Sequence, residues 1–151
     1  LNKRWRKLAP AMAHSFLGGQ AGDAWHVPSI ENEGNMVLII WQQNNFCALY
    51  GRRAPMKDTE DLFKLLIHNA PAPVEVKMIS EEWLGQGHER RHSSSYLWAM
   101  PKAPRSFMFS LSTTESDVPS VQALASVTVI PAPRVPPALP NPDNPNPNKT
   151  Q

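Results

Sequence analysis

Met36-Val37-Leu38-Ile39-Ile40-Trp41 is apolar at every position. Successive side chains of a strand point to opposite faces, so neither face of this run suits water. The run is predicted to be a central strand covered on each side, with Ile39 and Trp41 on one face and Leu38 and Ile40 on the other. Gln42 to Asn45 is a polar turn, and Phe46 to Tyr50 returns as a second strand, which makes a hairpin. A sheet built around this pair is the smallest architecture that hides both faces.

The flanking segments supply the rest of the expected fold. Trp5, Leu8, Met12 and Phe16 recur at helical spacing, so Asn2 to Leu17 reads as a helical segment, kinked at Pro10 and ended by Gly18-Gly19. Ala24 to Val27 is a short strand that stops at Pro28, and Ser29 to Asn35 reads as a turn. The main helix is expected over 58–68, capped by Asp58 or Thr59, with Leu62, Leu65 and Leu66 covering one face of the central strand. Val74, Val76 and Met78 alternate with Glu75 and Lys77 as a strand, and Glu81 to Ser94 reads as a polar loop. Further strands are expected at 95–100, 106–112 and 124–130. The predicted fold is α+β: an antiparallel sheet of about five or six strands, one main helix packed on it, an N-terminal helical segment over 1–17 and a Pro-rich extended tail. The domain is expected to span 1–130. In 131–151, eight of 21 residues are proline, which reads as a tail or linker of polyproline character. Such a tail is expected either to dock extended in a groove of another chain, with Val135 and Leu139 as its apolar anchors, or to serve as a bare spacer.

Charge and cysteine narrow the chemistry. The net charge is +2, too small for the basic face that nucleic-acid binding needs, so no nucleic-acid partner is expected. The positive charge is uneven: Lys3, Arg4, Arg6 and Lys7 precede the first acid, Asp23, and are candidate partner-binding residues for an anionic surface or acidic chain. Arg90-Arg91 is a second basic element of that alternative. Cys47 is the only cysteine, so no intramolecular disulfide forms, and its apolar neighbours predict a buried, unreactive thiol. No stretch approaches the ~18 apolar residues of a membrane-spanning helix. The chain is expected to be non-transmembrane, with a signal peptide taken to have been removed.

One motif carries possible catalysis. His88-Glu89-Arg90-Arg91-His92 matches H-E-x-x-H, in which two histidines one helical turn apart bind zinc and the glutamate activates the metal-bound water. His88 and His92 are thus the alternative metal ligands and Glu89 the alternative catalytic base, with Glu115 a distant third ligand. The setting is poor for a helix: Gly85 and Gly87 precede the motif and three serines follow it. A polar, basic surface loop is the preferred reading, and no cofactor is expected. His14 reads as a structural histidine, and the scattered tryptophans Trp5, Trp25, Trp41, Trp83 and Trp98 as core residues.

Phe16-Leu17-Gly18-Gly19-Gln20-Ala21-Gly22-Asp23-Ala24-Trp25 is followed by the strand at 36–41, by Phe46-Cys47-Ala48-Leu49 and by the helix at 58–68. Over about residues 14 to 80 this resembles a group of small uncharacterised exported proteins of proteobacteria, some of them lipoproteins. The resemblance implies a periplasmic or cell-envelope setting and no catalysis. The leading expectation is therefore a non-enzymatic accessory or structural subunit of an envelope assembly, such as a secretion or conjugation complex. Its partners are other protein subunits, and no small-molecule substrate is expected. A small zinc metallopeptidase and an anionic-surface or nucleic-acid binding module are the alternatives.

Overall fold

The structure, a computed structural model, describes residues 4–28 and 36–131. Lys3, the turn expected over 29–35 and the tail with Val135 and Leu139 lie outside the described residues. Among the described residues, eight strands form one antiparallel sheet: β1 Arg6–Lys7, β2 Gly22–Val27, β3 Met36–Trp41, β4 Phe46–Gly51, β5 Glu75–Leu84, β6 Arg91–Ala99, β7 Arg105–Thr113 and β8 Ala123–Pro131. Two helices accompany them, α1 Pro10–Leu17 and α2 Met56–His68. The spatial order is β1-β2-β3-β4-β8-β7-β6-β5. Two four-stranded meanders are thus joined edge to edge where β8 pairs with β4.

This corrects the expected fold class. The described residues are 20% helical and 47% strand, one eight-stranded sheet with two short helices, not a sheet of five or six strands carrying one main helix. The N-terminal helical segment shrinks to eight residues. Pro10 does not kink a longer helix; it opens one, because proline disfavours helical geometry in the residue before it and needs no donor at the first helical position. Ala9 is accordingly extended, Arg6 pairs with His26 and Lys7 with Trp25. Trp5, Leu8, Met12 and Phe16 therefore do not share one helix. The expected loop over 81–94 is mostly strand: β5 runs ten residues to Leu84, β6 starts at Arg91, and only a tight turn with a 3-10 segment at Gly87–Glu89 separates them. The polar residues there alternate across the pleat of a sheet with one open face. Pro131 closes β8 at the sheet's end rather than beginning the tail.

The hairpin forms as expected, with Trp41 opposite Phe46 and Ile39 opposite Ala48. Cross-strand partners define two faces. On the first, one row runs Ala24, Ile39, Ala48, Ser126, Ser110, Ser95. On the second, a row runs Ile40, Cys47, Val127, Phe109, Tyr96. Helix α1 covers the apolar end of the first row: Ala13 and Leu17 form a buried cluster with Ala24, Ile39 and Ala48. Gly18, at φ 58°, supplies the left-handed residue that ends α1. Gly22 lets β2 pass close to the Ile40 carbonyl, where a Cβ has no room.

Helix α2 lies on the second face, at the opposite half of the sheet. Phe63 packs edge-on against Tyr96 with ring centroids 6.0 Å apart, and the Trp98 indole N–H donates to the Ile67 carbonyl at 3.1 Å. Its inward stripe is Glu60, Phe63 and Ile67, so the expected covering role of Leu62, Leu65 and Leu66 is corrected; all three are more than half exposed, and of them only Leu66 borders the cavity where the helix meets the sheet. No side chain caps α2; the Thr59 hydroxyl instead donates back to the Pro55 carbonyl at 2.8 Å. Coverage of β3 is therefore one-sided. Ile39 is wholly buried, whereas Ile40, on the other face, is 37% exposed. Ile39→Ala is expected to destabilise the fold by about 2–5 kcal/mol, the usual cost of truncating a buried branched residue. Leu65→Ala should change stability by less than about 0.5 kcal/mol, as surface substitutions do. Urea unfolding checks both, and equal costs would show that the helix faces are wrongly assigned.

Candidate functional site

The H-E-x-x-H residues are split among elements. His88 and Glu89 sit in the exposed 3-10 turn and His92 in β6, so the two histidines do not share a helical face. The His88 Nδ1 lies 3.3 Å from the Ser116 hydroxyl. The His92 ring is turned inward, against α2. Its Nδ1 is 2.7 Å from a Glu60 carboxylate oxygen, its Nε2 is 3.5 Å from Glu81, and Trp83 lies beside the ring at 5.0 Å between centroids. The same Glu60 oxygen accepts the Thr113 hydroxyl at 2.7 Å, and Thr113 is wholly buried. With both ring nitrogens facing carboxylates, His92 ties α2 to β5 and β6 rather than sharing a metal with His88. Glu115 is exposed on the segment after β7. Among the described residues, no group of three or more His, Cys, Asp or Glu side chains is placed to hold a metal ion.

Glu60 is the residue the sequence reading missed. A signal was present: it precedes Phe63 by three positions and Ile67 by seven, which puts a carboxylate on the apolar stripe. Such a group needs donors from the opposing sheet, and His92 and Thr113 supply them.

Of the basic candidates, Lys7, Arg90 and Arg91 are engaged within the fold. Lys7 pairs with Asp23 at 2.5 Å and lies 5.6 Å from the Trp25 ring. Arg6 is exposed on β1, and Arg4 precedes it, exposed in a turn. Arg90 stacks over Trp83 at 4.2 Å. Arg91 is a clamp: its Nε donates to the Ser112 hydroxyl at 2.9 Å, and its terminal nitrogens donate to the carbonyls of Val121 at 3.0 Å, Ser112 at 3.2 Å and Gln122 at 3.3 Å. Burial pushes its guanidinium below the ordinary arginine range, and the nearby Glu89 charge opposes that shift. The Arg90-Arg91 pair thus fastens local structure rather than presenting a free cationic loop.

Cys47 is half-buried on β4, and burial raises its thiol above the ordinary range, which keeps it a thiol at neutral pH. The tryptophans divide: Trp98 is half-buried with its N–H bonded, whereas Trp83 is 46% exposed beneath Arg90. Exposed apolar side chains stand on β5, with Met78, Ile79, Trp83 and Leu84, and on α2, where Leu62, Leu65 and Leu66 are 56%, 67% and 58% exposed. The spacing of these leucines makes them one outward patch on a single turn.

No helix among the described residues is long and apolar enough to cross a membrane. Protein-family models, curated proteins and solved structures yield no match to this chain.

Replacing the clamp has a measurable cost. Arg91→Ala removes four hydrogen bonds, to Ser112, Val121 and Gln122, and is expected to lower stability by about 2–3 kcal/mol. Arg91→Lys should recover only part, because a single ammonium cannot serve this spread of acceptors. Urea midpoints give both values, and an unchanged midpoint for Arg91→Ala would refute the clamp.

Proposed function

We propose that this chain is a non-enzymatic accessory or structural subunit of a multiprotein assembly in the bacterial cell envelope, with a secretion or conjugation complex a natural setting. The outward leucine patch of α2 carries this reading. Three neighbouring leucines at more than half exposure gain nothing for the isolated chain, whereas contiguous apolar patches mark surfaces that another chain covers. The helix is pinned from below by Glu60, Phe63 and Ile67, so it offers these leucines on a rigid support. A partner with an apolar groove would take them at helical spacing. The envelope setting rests on the resemblance over residues 14–80. The internal partners of Lys7, Arg90 and Arg91 weigh against an anionic surface as the main target.

The test is the size of the native particle. Tagged wild-type protein in a mild envelope extract of its host should migrate at several times 16.9 kDa on a native gel. The double variant Leu62→Asp/Leu65→Asp should fold normally, since both side chains are exposed, and migrate near the monomer mass. Wild-type protein that migrates alone, or a variant still in the large particle, would contradict the proposal.

A further inference from the structure

The two edges of the sheet differ in length and in what they present. One edge is β1, only two residues long, which leaves little backbone for another strand to pair with. The other is β5, ten residues long, and no strand among the described residues lies beyond it. Met78, Ile79, Trp83 and Leu84 on β5 are each about half exposed. A long edge that carries open amide and carbonyl groups and apolar side chains is a template for a further strand.

The side chains of β5 select which strand fits. A bulge falls between Met78 and Ser80, with Ile79 as its extra residue. Lys77 lies opposite Leu97 and Glu82 opposite Ser93, and those two β6 residues share a face of an unbroken strand. The bulge therefore brings Lys77 and Glu82, an odd number of positions apart, to the same face, the one with the open serines. Both are exposed, and neither has an ion-pair partner among the described residues. In the same way Val76, opposite Trp98, shares the other face with Trp83, opposite His92.

This pattern is complementary to itself. Let a second β5 lie antiparallel, with the two-fold axis between Ile79 and Ser80. Lys77 of each copy then meets Glu82 of the other, and Val76 meets Trp83, so the charge pair and the aromatic–β-branched pair each form twice. A slip of two residues, the smallest that keeps the faces matched, sets Glu75 against Glu82 in one direction and Lys77 against Leu84 in the other.

We propose that β5 pairs with the β5 of a second copy of this chain, antiparallel and in this register, to give a dimer with one continuous sheet. The edge charges disfavour a strand of unrelated sequence and are matched by a second copy. The tail over 132–151 suits the edge poorly, because its recurrent prolines lack the N–H that a ladder needs. One strand pair makes a small, transient interface, so a dissociation constant of about 10–100 µM is expected and the chain is monomeric at the dilution of an extract. The edge is separate from the outward leucines, so this inference stands apart from the proposed subunit role.

Sedimentation equilibrium of the full chain at about 5 to 500 µM tests the proposal, since dimerisation follows mass action. Wild-type protein should move from 16.9 kDa toward twice that mass. Lys77→Glu and Glu82→Lys should each weaken the dimer at least about tenfold, because symmetry turns both charge pairs into like-charge contacts. An equimolar mixture of the two variants should dimerise about as tightly as wild type, since every charge in the mixed dimer again meets its opposite. Exchange of the β5 amides that point away from β6 should slow as concentration rises. A wild-type monomer throughout, charge reversals without effect, or a mixture no tighter than its components would overturn the proposal. So would full protection of those amides at the lowest concentration, which would mean that another segment of the chain covers the edge.

Discussion

The pairing of β8 with β4 is the constraint on which the molecule depends. Each meander is a local structure, but only this seam makes one sheet from the two. Small residues recur along it, with Ala48 facing Ser126, Ala125 facing Leu49 and Gly51 facing Ala123, between the larger pairs Phe46–Thr128 and Tyr50–Leu124. Small side chains there leave room on both faces, and each helix settles on one side of the seam. Because β8 is the last described strand and β4 lies about half a chain earlier, the sheet closes late, at the cost of a long loop closure. Arg91 and Gln122 secure the approach to β8. Gln122 donates its backbone N–H to the Gly51 carbonyl, while its side-chain oxygen accepts from Ala54 at 3.0 Å. The segment leading into β8 is thereby held against the end of β4.

Diagonal coverage follows from this arrangement. Two helices of eight and 13 residues cannot cover both faces of eight strands. They protect opposite corners, and the other two corners are left to side-chain chemistry. Serine makes one corner wettable. The other keeps the apolar side chains of Ile40, Cys47 and Val127. The outer leucines of α2 are a second apolar surface. Both surfaces retain apolar side chains that the isolated chain does not use.

Strands with strong apolar character were legible from sequence. The 36–41 run has the expected ends and faces, its hairpin partner runs one residue further, to Gly51, and Ile39 has the expected burial. The rest was obscured for identifiable reasons. Arg91 to Ser94 looks like a loop because its serines and charges serve an open face and a buried polar network, neither of which produces apolar alternation. Arg6–Lys7 has no strand pattern and pairs because Pro10 forces the chain before it to extend. Leu62, Leu65 and Leu66 outnumber Phe63 and Ile67, so hydrophobicity alone selected the wrong face of α2. Glu60, the polar member of the inward stripe, decides the orientation through His92 and Thr113. For the candidate site, H-E-x-x-H spacing described a helix that the glycines on either side of Gln86 prevent. Among the basic residues, sequence placed the charges but not their internal partners.

Nuclear Overhauser contacts test the central claim, that the two helices cover opposite faces and opposite halves of one sheet. In a single methyl- and aromatic-labelled sample, Leu17 should show contacts to Ile39, and Phe63 should show contacts to Tyr96. Contacts between Ala48 and Ser126 backbone protons should mark the seam. Contacts from Phe63 or Ile67 to Ile39, with those to Tyr96 missing, would place both helices on one face and contradict the account.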